Sequence, residues 1–199
     1  MARPDVSTER KTQILDTATA VFARRGFHQA RMDDIVQESG LSKGAIYWYF
    51  KSKDDIILAL AQRLFDPEVA DIQARLSQEG SVCDRLRAYI QRVVSDVQHM
   101  DESGVIPLMY EFYALATRHE PARRCIHGYF RAITDSLVVL VQQGMDGGEF
   151  RPAPPFVVAA AIGALIEGTI LVWALSPSMV NLEEQATTTM DLFLEGLRK

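Results

Sequence analysis

Apolar residues recur at i, i+3, i+4 and i+7 along almost the whole chain, and eight prolines, at positions 4, 67, 107, 121, 152, 154, 155 and 177, coincide with the breaks in that pattern. A period near 3.6 buries one stripe of a helix, whereas a half-buried strand needs strict alternation, and no convincing alternating run with hairpin turns is present. Proline lacks an N–H and fixes φ, so these residues punctuate helices. The fold class expected is all-α. With 199 residues the chain is long enough for one sizeable domain, or for a small domain attached to a larger one.

The first helix is expected over Ser7 to Arg25, with Ile14, Leu15, Ala18, Val21 and Phe22 on one face and Gly26 at its left-handed C′ position. A short second helix covers roughly Asp33 to Ser39, its acidic start suiting the positive end of the dipole, and Gly40 stops it. A third begins after Ser42 and a fourth after Ser52. There SKDD (52–55) resembles a capping box with Asp in place of Glu, followed by the apolar face Ile56, Ile57, Leu60 and Leu64. Further helices are expected at about 67–78, unless the fourth runs straight into it, and at 81–100, 104–117, 121–144, 154–175 and 182–197. GGEFRPAPP (147–155) is the one loop long and proline-rich enough to serve as a connector.

The second and third helices, joined by the tight turn SGLS (39–42), form a helix-turn-helix. That shape alone is common, and the residues narrow it. Ser42 is placed to cap the third helix, so that the N–H groups of Lys43, Gly44 and Ala45 face outward, where a phosphate is favoured. Gly44 and Ala45 are small enough to let that end approach base edges in a major groove. Ile46 and Phe50 read as core and Tyr47 as partly so, while Trp48 and Tyr49 would leave two large rings exposed beside a lysine, which favours contact with DNA. Charge is compatible with this. Residues 1–65 carry ten Lys and Arg against eight Asp and Glu, and residues 66–199 carry eleven against eighteen, for a net −5 overall.

The span from Ile14 to Leu60, above all GFHQARMDDIVQESGLSKGAIYWYFKSKDDII (26–57), resembles the N-terminal domain of the tetracycline-repressor (TetR) family of bacterial regulators. Gly26, Phe27, Ile35, Gly40, Ser42, Lys43, Gly44, Tyr47, Phe50, Lys53, Asp54 and Asp55 carry the likeness. It implies a helix-turn-helix DNA-binding domain at 1–53 and a larger helical domain for ligand binding and dimerisation at 54–199. It also implies groove-facing roles for Gly44, Ala45 and Trp48, and phosphate contacts for Ser42, Lys43, Tyr47, Tyr49 and Lys53. Family members commonly have hydroxyl residues just before the second helix; this chain has Ala30 and Arg31, so that helix lacks its usual cap and Arg31 is the candidate phosphate contact instead.

A seven-residue recognition helix makes few contacts, so a homodimer on a palindromic operator is expected, with recognition helices about 34 to 36 Å apart or a multiple of that. The candidate dimer surface combines the helix from Pro154 to Leu175, with small residues Ala159, Ala160, Gly163, Ala164 and Gly168, and the last helix, with Met190, Leu192, Phe193, Leu194 and Leu197. From two chains these would form a four-helix bundle, the alternative being an intrachain core. An effector pocket implied by the resemblance has Tyr89, Met109, Tyr110, Glu111, Tyr113, Phe130, Glu167, Thr169 and Trp173 as candidate lining, although aromatic and Met residues at helical spacing are mostly plain core. Glu111 and Glu167 stand in apolar faces, where they would either bind a cationic ligand or pair with Arg118, Arg123, Arg124 or Arg131.

No metal site or cofactor is expected. His119, Glu120, Cys125 and His127 lie close in sequence, but Cys125 and His127 point about 200° apart around a helix. Neither Cys83 nor Cys125 belongs to a metal or redox spacing, and no catalytic motif is found, so an enzyme is not expected. The start MARPDVSTERK has no apolar signal region, which makes the cytoplasm the expected compartment. FVVAAAIGALIEGTILVWAL (156–175) is long enough to cross a membrane, but its central Glu167 argues for a buried helix in a soluble dimer. The reading is a ligand-responsive transcriptional regulator, a repressor released from its operator by a small hydrophobic molecule. Its alternative is an architectural DNA-binding protein on the same scaffold without an inducer.

Overall fold

A computed structural model describes residues 6–76 and 79–199. Among these the elements are α1 (Val6–Arg25), α2 (Met32–Ser39), α3 (Lys43–Tyr49), α4 (Lys53–Leu76), α5 (Val82–Glu102), α6 (Val105–Ala116), α7 (Glu120–Asp146), α8 (Pro155–Leu175) and α9 (Leu182–Leu197). The fold is all-α among the described residues, with an isolated bridge between Phe150 and Arg198.

Three prolines sit where a helix tolerates them. Pro107, Pro121 and Pro155 occupy the first turns of α6, α7 and α8, positions whose N–H has no intrahelical partner. Pro67 departs from the expectation that prolines mark breaks, because α4 runs through it as one helix. An exposed proline forfeits one backbone hydrogen bond, and α4 has 24 residues over which to offset it. The separate helix expected at 67–78 is therefore the second half of α4; positions 77 and 78 lie outside the described residues, as does Pro4.

The chain divides into two compact units. The first takes residues up to Phe65 together with Ser103–Ile126, so it contains α1 to α3, the first half of α4, α6 and the start of α7. In it α1 packs on α2 and on α6, and α2 on α3. Its core is the predicted α1 face, Ile14, Leu15, Ala18, Val21 and Phe22, joined by Ile35, Ile46, Phe50, Ile56, Ile57 and Phe112. This grouping differs from a boundary at residue 53, since the apolar start of α4 and α6 add Ile56, Ile57 and Phe112 to the core of α1, α2 and α3.

The second unit comprises Asp66–Glu102 and His127–Lys199. There α9 packs on both α5 and α8. The connector seen in the sequence has a structural task here: the Glu149 carboxylate accepts from the N–H of Val82 at 3.0 Å and of Cys83 at 3.3 Å, closing the N-terminus of α5. Phe150 beside it is buried against Gly144, where an added Cβ would stand 2.5 Å from the Phe150 ring.

Within this unit α8 is divided by face. Val158, Ala159, Ile162 and Ile170 are buried, while Val157, Ala160, Ala164, Gly168, Leu171 and Leu175 form an exposed stripe at helical spacing. In α9 the expected interface residues Met190, Leu194 and Leu197 are buried within the unit, Phe193 is half-buried, and Leu192 is exposed. Ala159 and most of the apolar side of α9 are thus intrachain core.

Candidate nucleic-acid interface

The turn between α2 and α3 is fixed by Ser39 and Gly40. The buried Ser39 hydroxyl donates to Val36 O at 3.2 Å and accepts from the Leu41 N–H at 3.2 Å, and Gln13 on α1 donates to Ser39 O at 3.0 Å. Gly40 has φ of 68°, the left-handed conformation the sequence called for here and at Gly26. α2 starts without a hydroxyl cap. Instead the Asp34 carboxylate accepts from the Arg31 N–H at 2.8 Å, half of a capping box, and also holds Arg25 at 2.7 Å. Arg31 itself is exposed.

Ser42 caps α3 as expected, its hydroxyl accepting from the Ala45 N–H at 3.2 Å. That corrects one detail, because the Ala45 N–H is spent on the cap, leaving the Lys43 and Gly44 amides as the outward donors of the three. Ser42, Lys43 and Gly44 are exposed and Ala45 is half-buried. Ile46 and Phe50, at 0% and 4% exposure, hold the helix down. Between them Tyr47 and Tyr49 are half-buried and Trp48 is 69% exposed, its ring edge-on to Tyr49 with centroids 4.6 Å apart. α3 therefore offers a small-residue N-terminus and the exposed Trp48 ring to solvent.

The two predicted lysines differ. Lys43 is exposed and forms an ion pair with Asp33 at 2.7 Å; this hydrogen bond and charge hold its ammonium pKa above the ordinary value. It also lies 5.8 Å from the Tyr47 ring centroid. Lys53 is turned inward, donating to Phe27 O at 2.6 Å and His28 O at 3.2 Å with its ammonium 4.7 Å from the Phe27 ring. Burial pushes its pKa down. Lys53 ties the start of α4 to the α1–α2 turn, so its two carbonyl bonds compete with the phosphate contact expected of it. Ser52 and Asp55 complete the capping box reciprocally, at 3.0 and 3.2 Å. Sequence reasoning missed Lys51, whose ammonium donates to Tyr47 O at 2.5 Å. A basic residue just past a helix C-terminus was the available signal.

The candidate effector residues divide between the units. Met109, Tyr110, Glu111 and Tyr113 are in the first; Tyr89, Phe130, Glu167, Thr169 and Trp173 are in the second. Glu111 pairs with none of the expected arginines. Its carboxylate lies 3.1 Å from His28 Nε2, while Arg123 and Arg124 pair with Glu120 and Arg131 with Asp135. Packing of α6 on α1 brings the α1–α2 turn within reach of Glu111. Tyr89 is buried, Phe130 is exposed at 39%, and the Thr169 hydroxyl is bonded to Leu165 O. Met109 alone of the nine lines the cleft of about 130 Å³ that the first unit contains.

Comparison with known proteins agrees with this geometry. Residues 14–60 match the model for bacterial regulatory proteins of the tetR family, and residues 82–199 match the C-terminal model of BetI-type transcriptional repressors. The HTH-type transcriptional regulator TtgR of Pseudomonas putida is 26% identical over 198 residues, covering 96% of this chain and 92% of that protein. Among solved structures, SmeT, the repressor of the Stenotrophomonas maltophilia multidrug efflux pump SmeDEF, superposes in its triclosan complex with a TM-score of 0.81 at 20% identity, covering 96% of this chain and 92% of SmeT. FadR of Bacillus subtilis with stearoyl-CoA gives 0.72 at 20% identity over 94% and 99% of the two chains. The helix-turn-helix, the helical C-terminal part and both family matches converge: the chain belongs to the TetR family of bacterial regulatory proteins and is a DNA-binding transcriptional regulator.

Proposed function

We propose that the protein is a homodimeric repressor that holds a palindromic operator and leaves it when a small, largely hydrophobic molecule occupies the helical part beyond residue 53. The observation that carries the DNA side is the exposed end of α3, where the Ser42 cap, the Lys43 and Gly44 amides and the Trp48 ring share one face above the buried anchors Ile46 and Phe50. Ser42, Lys43, Tyr47, Tyr49 and Arg31 serve the phosphates. Gly44, Ala45 and Trp48 face the groove. Lys53 contributes by keeping the start of α4 in register and through whatever donor capacity its carbonyl bonds leave.

Dimerisation is supported by the exposed apolar stripe on α8, a surface that a monomer in water gains nothing by keeping. An apolar effector is supported by the similar complexes of SmeT with triclosan and of FadR with stearoyl-CoA. Release follows if the effector favours a conformer whose recognition helices no longer match the half-site spacing. The test is to recover bound fragments from the genomic DNA of the source organism and then titrate the enriched fragment by fluorescence anisotropy with triclosan and stearoyl-CoA as probes. Enrichment of one inverted repeat, released by at least one probe, is expected. Enrichment of many unrelated sites with no response to either probe would favour the architectural reading.

A further inference from the structure

We propose that Lys51 supplies the ammonium that meets a DNA phosphate just past the C-terminal end of α3, in the place the family likeness gives to Lys53, and that Lys53 acts as a positioning residue. This assignment rests on the reading that α3 is the helix that meets DNA. The two lysines stand two residues apart in FKSKDD (50–55) and have opposite surroundings.

Phe50, the C-cap of α3, has extended backbone, with φ of −135° and ψ of 123°, and its ring is 4% exposed. Successive side chains of extended chain alternate, so the next one emerges outward, and Lys51 is exposed. Its backbone is held in place: the Asp55 carboxylate accepts from the N–H of Lys51 at 2.8 Å and of Ser52 at 3.0 Å. The Lys51 ammonium donates to Tyr47 O at 2.5 Å and has no carboxylate partner among the described residues. An ammonium has three donors, so two remain, and a charged phosphate oxygen is a stronger acceptor than a neutral carbonyl. With Lys43 5.8 Å from the Tyr47 ring and Lys51 on the Tyr47 carbonyl, α3 carries an exposed ammonium at each end. Lys53 is turned inward. Two of its donors go to Phe27 O at 2.6 Å and His28 O at 3.2 Å, and the Phe27 ring centroid lies 4.7 Å away. Turning it to a phosphate would leave both carbonyls without that donor and untie α4 from the α1–α2 turn. Burial pushes its pKa down, which marks a group withdrawn from solvent.

Anisotropy titrations of the full-length protein at several salt concentrations separate the two roles. The DNA is the enriched genomic fragment, or a random-sequence duplex should none be enriched. Lys51→Ala should flatten the slope of log K against log salt by about 0.9, so its loss of affinity shrinks about three- to four-fold between about 50 and 200 mM salt. Lys51→Arg keeps the charge and should restore the parent slope. Loss of the bond to Tyr47 O alone would lower affinity at every salt concentration and leave the slope unchanged. Lys53→Met keeps the stem against Phe27 without the ammonium, and should lower affinity and the urea midpoint with little change of slope. An unchanged slope in Lys51→Ala, while Lys43→Ala flattens it, overturns the proposal and leaves α3 as the DNA-facing helix. Unchanged slopes in both overturn the two readings together. Flattening in Lys53→Met equal to that in Lys51→Ala also overturns it, as does a Lys51→Arg slope no steeper than that of Lys51→Ala. Should Lys53→Met fail to fold, the Lys51 pair and Lys43→Ala decide alone.

Discussion

Asp33 Oδ1 stands 2.7 Å from Lys43 Nζ, so the first lysine of α3 already holds a carboxylate on the face proposed to meet DNA. Phosphate must replace or share that partner, and the exchange has a readable consequence. Asp33→Asn frees the lysine and removes a negative charge from the interface, so operator affinity should rise at low salt. Lys43→Ala should instead lower affinity and flatten the slope of log K against log salt by about 0.9, the release of one counterion. Anisotropy titrations at several salt concentrations measure both. Identical slopes for parent and Lys43→Ala would remove Lys43 from the phosphate contacts.

Trp48 and Ile46 are two residues apart in sequence and opposite in exposure, 69% against 0%. Trp48→Ala should therefore weaken operator binding by roughly ten-fold while changing stability by no more than about 0.5 kcal/mol. Ile46→Ala, which opens the core, should cost about 2 to 5 kcal/mol in urea unfolding. A Trp48→Ala protein that binds its operator unchanged would make the exposed ring incidental.

Much of this could be read before any coordinates, for a physical reason. Helix ends, caps and core faces are local: Gly26, Gly40, the Ser42 cap, the Ser52–Asp55 box and the α1 stripe each follow from spacings within a turn or two, and each is present. What the sequence did not reveal involves distance along the chain. Lys53 reaches back 26 residues to Phe27 O, and Glu111 lies against His28, because α4 and α6 pack beside the α1–α2 turn. At Pro67 the open alternative is the one observed, α4 continuing past the one backbone bond that a proline forfeits. Glu149 was read as part of a loop, and its capping of α5 across 67 residues carries no local signature.

The Glu149 carboxylate and the Gly144–Phe150 contact fix the connector independently. Glu149→Ala leaves the Val82 and Cys83 amides without their acceptor and should cost about 1 to 3 kcal/mol, with Glu149→Gln intermediate. Gly144→Ala pushes a methyl to 2.5 Å from a ring that is 1% exposed, so ring or helix must move, at about 1 to 3 kcal/mol. Urea denaturation of each variant measures these losses. An unchanged midpoint in Gly144→Ala would mean that Phe150 relaxes freely.

The α8 stripe separates a dimer contact from an intrachain core. Ala159 and Ile162 face inward, so replacing them damages the fold whatever the oligomeric state. Ala164 and Leu171 face outward, so Ala164→Glu or Leu171→Glu leaves the unit's own packing in place and puts a charge only where a second copy would bury it. Either variant should sediment as a monomer with an unchanged helical spectrum. A monomer presents one recognition helix, so it should also lose the operator while keeping weak, salt-sensitive binding to any DNA. A Leu171→Glu protein that remains dimeric and keeps its operator would move the interface away from this stripe, and the inward side of α9 leaves little apolar surface there to replace it.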